Sequence, residues 1–76
     1  MKDLLVYLAK ALVEQPDAVE VEQEQREDET IVYKLHVAEN DMGRVIGKQG
    51  RIAKALRTTM KAAANRKGLR VEVEIV

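Results

Sequence analysis

The 76-residue chain has no cysteine, tryptophan or phenylalanine, and only one proline and one histidine. Without cysteine, neither a disulfide nor a thiolate metal site can supplement the core, and the composition suits a reducing compartment. One histidine with no cysteine supports neither a nucleophile–base pair nor a zinc site. No apolar run approaches the roughly 20 residues that span a bilayer. Met1-Lys2-Asp3 leads into a charged, interrupted apolar stretch ending at Pro16, unlike a signal peptide. The expectation is a soluble, cytoplasmic chain forming a single domain over residues 1–76. A domain this small buries only about 60% of its unfolded surface, so a partner subunit would help it.

The formal net charge is zero, but the charges are segregated. Residues 1–40 hold four basic and ten acidic side chains, whereas residues 41–76 hold nine basic and three acidic ones. Between Arg44 and Lys61 there are six basic residues and no acid. A polyanion responds to this local field rather than to the whole-chain balance. A solvated helix face has the same appearance, so the charge run alone decides nothing.

Apolar periodicity sets the element order. Asp3 is placed to cap a first helix in which Leu5, Leu8, Ala9 and Leu12 form a stripe, with Pro16 as its stop. Val19 and Val21 alternate with Glu20, Glu22 and Glu24, and Ile31, Tyr33, Leu35 and Val37 alternate with Val32, Lys34 and His36, which predicts two strands. Glu27-Asp28-Glu29 joins them without glycine, predicting a looser turn than the two-residue hairpins. The acidic first strand reads as a guarded edge. A short helix is predicted over 41–46, a glycine loop next, and a longer helix over 51–66 with Ile52, Leu56, Met60 and Ala63 buried. Gly68 fits a left-handed helix stop, and Val71, Val73 and Ile75 a last strand. The order α-β-β-α-α-β implies an α+β fold with helices on one face of a three-stranded mixed sheet.

Gly47-x-x-Gly50 is weak taken alone. At about 7% glycine such a pair arises about 0.4 times per chain of this length, usually as an ordinary helix-to-helix turn. Its context is more specific, because Val45-Ile46 precede it and Arg44, Lys48 and Arg51 flank it. Glycines let a nucleic-acid backbone come close to the main chain. N–H groups opening the next helix favour an anion. Lys48, Gln49 and the 47–50 backbone are the candidate phosphate holders, flanked by Arg44 and Arg51. Val45 and Ile46 are a candidate apolar wall for unstacked bases, and Lys54 and Arg57 extend the basic track.

Val45-Ile46-Gly47-Lys48-Gln49-Gly50-Arg51-Ile52 resembles the signature of KH domains, whose GXXG loop clamps the backbone of about four nucleotides. Two strands before the loop and one after it resemble the bacterial, type II arrangement. Asp41-Met42-Gly43-Arg44, Ala53-Lys54-Ala55-Leu56-Arg57-Thr58 and the Pro16-Asp17 break resemble the small stand-alone KhpA family over nearly the whole chain. The resemblance implies a cytoplasmic, non-enzymatic protein that binds single-stranded RNA without a cofactor. It further implies a homodimer, or a heterodimer with the larger KH-containing KhpB. It also implies a role as post-transcriptional regulator or RNA chaperone linked to cell elongation, division and shape. Dimer contacts near the loop are implied too, so the same residues serve RNA, a partner, or both. The alternative is a protein-interaction subunit of an RNA–protein complex, with RNA contact secondary.

Other signals carry less. Gly43-Arg-Val-Ile-Gly47-Lys48 has three residues between its glycines where a phosphate loop needs four, and Gln49 where Ser or Thr binds magnesium. His36 reads as a surface or sheet-packing residue, and Glu20, Glu22 and Glu24 as edge protection rather than a metal site. Tyr7 and Tyr33 are the only aromatics, which leaves no stacking sheet of the RRM kind. Thr58 and Thr59 read as helix surface.

Overall fold

The computed structural model describes the backbone of residues 1–76 and the side chains of all but Lys48 and Gln49. Helix α1 spans Lys2–Leu12 and buries Leu5 and Ala9. Met1 is its N-cap, and Asp3 lies inside the first turn with no side-chain cap hydrogen bond. There its charge complements the helix dipole instead of capping. The helix ends before Pro16: Val13 is already extended, and Pro16 opens a short 3-10 turn, Pro16–Ala18. Proline suits that first position because its missing N–H would have no partner there.

Strand β1 is Glu20–Gln25, β2 is Ile31–His36 and β3 is Val71–Ile75, in the sheet order β1-β2-β3. β1 runs antiparallel to β2, and β3 parallel to β2. The parallel pair requires a crossover, which the helical segment α2, Glu39–Arg66, supplies. At the hairpin the Arg26 N–H donates to Thr30 O at 2.8 Å and the Glu29 N–H to Arg26 O at 3.0 Å. Glu29 takes φ +70°, the left-handed position that glycine usually fills. The Thr30 N–H donates to Asp28 Oδ1 at 3.1 Å, and the Thr30 backbone and hydroxyl hold the Asp28 carboxyl below its usual range.

The register sorts the sheet into two chemically different faces. Val21 pairs with Leu35, Tyr33 with Val73, and Leu35 with Ile75, which aligns the apolar set on one side. Val21, Tyr33, Leu35, Val71 and Val73 join Leu5, Ala9, Leu56, Met60 and Ala64 in the core. The other face carries Glu20, Glu22, Glu24, Lys34, His36, Glu72 and Glu74. Lys34 Nζ lies 3.0 Å from Glu24 Oε1, and Arg26 pairs with Glu72 and Glu74. Val32 sits on this charged face yet is buried, flanked across the strands by Glu24 and Glu72.

Helix α2 differs from its sequence outline in a way that matters for the site. It begins at Glu39, and the helical assignment runs through 47–50. The expected open loop is therefore contracted to one left-handed residue, Gly50, with φ +67°. A right-handed helical path cannot pass straight through that conformation, so α2 acts as two helical arms and the α-β-β-α-α-β order holds. In the second arm the buried line is Ala53, Leu56, Met60 and Ala64. The expected line through Ile52 and Ala63 is shifted by one position, and both of those side chains are only half-buried.

Candidate nucleic-acid interface

Asp41 fixes the first arm of α2. Its side chain is 2% exposed, and its two oxygens accept the backbone N–H groups of Glu14 and Gln15, each at 3.0 Å. The carboxylate thus satisfies two amides of the chain leaving α1 while sitting in the first turn of α2, where negative charge is favoured. Three residues on, Arg44 Nη1 donates to Glu14 Oε1 at 3.0 Å. In the sequence Asp41 marks a helix start and belongs to the Asp41-Met42-Gly43-Arg44 resemblance but has no assigned contact, and Glu14 does not stand out. Only the capping preference of Asp near a helix start hints at the first, and nothing local hints at the second.

Beyond this tether, Gly43, Arg44, Gly47, Arg51 and Ile52 line a cleft of about 440 Å³. The shifted helix register contributes here: Ile52 is left half-buried at the cleft wall because Ala53 takes the core position. Ile46, beside Gly47, is 51% exposed. Among the described residues a Cβ added to Gly43 or Gly47 would meet nothing within 4 Å. Gly47 also has no positive φ, so no contact or strain inside the fold explains its missing side chain. Gly50 is different, since its φ of +67° itself requires glycine.

The basic residues divide by surroundings. Arg51, Lys54 and Lys61 are exposed and make no ion pair among the described residues. Arg57 donates from Nε to the backbone oxygen of Val73 at 3.2 Å, which ties the second arm to the outer edge of β3. Arg57 and Lys61, with Glu72, Val73 and Glu74, line a smaller cleft of about 210 Å³ along that edge. Lys48 and Gln49, the expected phosphate holders, have side chains outside the described residues. Val45 is fully buried, so its side chain offers no wall to a base; that part of the expectation is corrected, and the apolar surface comes from Ile46 and Ile52.

A further cleft of about 410 Å³ at the hairpin end sets Asp28 and Glu72 beside Lys61 and Arg70. It lacks the single sign of charge that the bend region has. No three His, Cys, Asp or Glu among the described residues are grouped to hold a metal ion. No helix among them is long and apolar enough to cross a membrane.

Two antiparallel strands, a helical pair hinged at the second glycine of a G-x-x-G, and a closing strand parallel to β2 define a small α+β domain of the KH type. The family model described as KhpA/KhpB, KH domain matches residues 2–75. A protein of Clostridium acetobutylicum named RNA-binding protein KhpA is 55% identical over 76 residues, all of both chains. A namesake in Caldanaerobacter subterraneus is also 55% identical over the full length of both. One in Listeria monocytogenes is 43% identical over all of this chain and 99% of its own. No solved structure matches. The chain belongs to the KhpA/KhpB KH-domain family, which is not a family of enzymes.

Proposed function

We propose that this chain is an RNA-binding protein that holds single-stranded RNA across the bend between Gly47 and Gly50. The observation that carries the reading is Gly47. A side chain is missing where nothing among the described residues would obstruct one, at the wall of a cleft flanked by Arg44 and Arg51. A ligand backbone approaching closely is the physical reason for such a gap. The names of the relatives, RNA-binding protein KhpA, support the choice of RNA.

In this reading Gly47, Lys48, Gln49 and Gly50 hold phosphates, Arg44 and Arg51 flank them, and Lys54 carries the track along the second arm. Ile46 and Ile52 face the bases. Arg57, whose Nε is engaged by Val73 O, extends the track beyond Lys54. Three or four phosphate contacts give a salt slope of about −2 to −3 in log K against log salt for a single strand. One groove of this size binds weakly and with little sequence preference. Residues 1–76 serve as one cytoplasmic unit, a homodimer or a heterodimer with a larger KhpB-like protein. Dimerisation raises apparent affinity through effective concentration. The cellular role is post-transcriptional, as regulator or RNA chaperone linked to cell elongation and division.

The half-exposed Ile46 beside the bend favours a second reading, in which this surface docks a partner subunit and RNA contact is secondary. Replacing Lys48 and Gln49 by Asp separates the two. With folding confirmed by circular dichroism, loss of RNA binding in an intact dimer supports the first reading. Loss of self-association in a monomer that still binds RNA overturns it.

A further inference from the structure

We infer that Glu14 is an internal competitor for phosphate at Arg44, an anion that an incoming RNA strand must displace. The inference rests on the RNA-binding reading and adds to it a residue that restrains affinity. Arg44 lines the cleft beside Gly43 and Gly47, and the Nη1 edge of its guanidinium is already donated to Glu14 Oε1 at 3.0 Å. A carboxylate and a phosphate oxygen are equivalent acceptors for that edge. Glu14 therefore withholds a donor from the ligand and sets a negative charge beside Arg44.

The placement of Glu14 is fixed by an independent contact. Its backbone N–H and that of Gln15 are held at 3.0 Å by the two oxygens of Asp41. Asp41 is buried and lies three residues before Arg44 on the same helical arm, so one arm carries both the cation and the anchor of its competitor. The ion pair itself is exchangeable. The side chains of Arg44 and Glu14 are 53% and 74% exposed, and water screens a pair so placed. A backbone phosphodiester carries the same single charge and fits the guanidinium fork as well as the carboxylate does, so it takes over that edge once neighbouring contacts hold the strand in place.

The test is a double-mutant cycle on binding of a short oligouridylate to the full chain, with folding checked by circular dichroism. Glu14→Gln should tighten binding by about two- to fivefold, the range of an exposed ion pair. The same change in an Arg44→Gln background should leave affinity unchanged. Glu22→Gln, the same charge removal on the far sheet face, should also leave it unchanged. An unaltered affinity in Glu14→Gln overturns the inference, as does an equal gain without Arg44 or an equal gain from Glu22→Gln. If the unmodified chain binds but Glu14→Gln is silent, this inference alone fails. If the unmodified chain does not bind at all, the RNA reading fails with it.

Discussion

Gly47→Ala separates what the fold requires from what a ligand requires. Gly47 lies within the helical span of α2, and among the described residues its added Cβ would meet nothing within 4 Å. Alanine there loses less backbone freedom on folding, so the substitution should stabilise the chain by about 0.5–1 kcal/mol. In urea, with m near 1 kcal/mol/M for a domain of this size, the midpoint should rise by about 0.5–1 M. Binding should move the opposite way. A methyl group in the space proposed for a sugar–phosphate backbone should remove about one charge-assisted hydrogen bond, roughly 1.5 kcal/mol, or about tenfold in Kd. Gly50→Ala is the matched contrast. Its φ of +67° makes alanine unfavourable by about 1–2 kcal/mol, and the urea midpoint should fall. Measuring urea midpoint and oligoribonucleotide affinity for both variants tests the argument. A destabilised Gly47→Ala, or one that binds RNA as tightly as the parent, refutes it.

Other perturbations act on separate parts of the structure. Asp41→Ala leaves two amides without the acceptor they reach at 3.0 Å and should lower stability by about 3 kcal/mol in urea melts. Asp41→Asn, which keeps one acceptor, should lose about half as much. That is a large share of the roughly 4–11 kcal/mol expected for a domain of this length. Burial raises the Tyr33 phenol above its usual range. Because the folded state binds that proton more tightly, the stabilisation is full below about pH 10 and is lost as pH rises through the raised value. The Lys34 ammonium, held up by its hydrogen bond to Glu24, acts in the same direction. The urea midpoint should be level from about pH 7 to 9 and fall above about 10, with Tyr33→Phe reducing the alkaline loss without abolishing it. Met60→Ala empties a fully buried position in the core and should cost about 2–5 kcal/mol, read from the same melts.

The strands were legible because one side of the sheet is apolar and the other mostly charged: Val21, Tyr33, Leu35, Val71 and Val73 recur at period two against charged or polar neighbours, with Val32 the exception. The basic stripe of the second arm was legible for the same reason, with Arg51, Lys54 and Lys61 exposed as expected. What stayed hidden was set by contacts distant in sequence. The Asp41 carboxylate looks like a helix-start residue until Glu14 and Gln15 arrive from the end of α1, more than 25 residues away. Val45 and Ile46 look equivalent as a branched pair, yet one is fully buried and the other half exposed, a distinction that needs the rotation of the helix. The same rotation moves the core line from Ile52 to Ala53. Glu29 at φ +70° has no local signature, because the hairpin imposes a conformation that its residue type disfavours.

The central claim is that a nucleotide chain lies against the glycine hinge of α2, between Arg44 and Arg51. Titrating a short unstructured oligoribonucleotide into isotopically labelled chain at low ionic strength, and following backbone amide signals, tests it most directly. The account predicts the largest, saturable shifts at residues 43–52, smaller ones along Lys54 and Arg57, and none on the charged sheet face at Glu22 or Glu72. Shifts absent from residues 43–52, or centred on that sheet face, would contradict it.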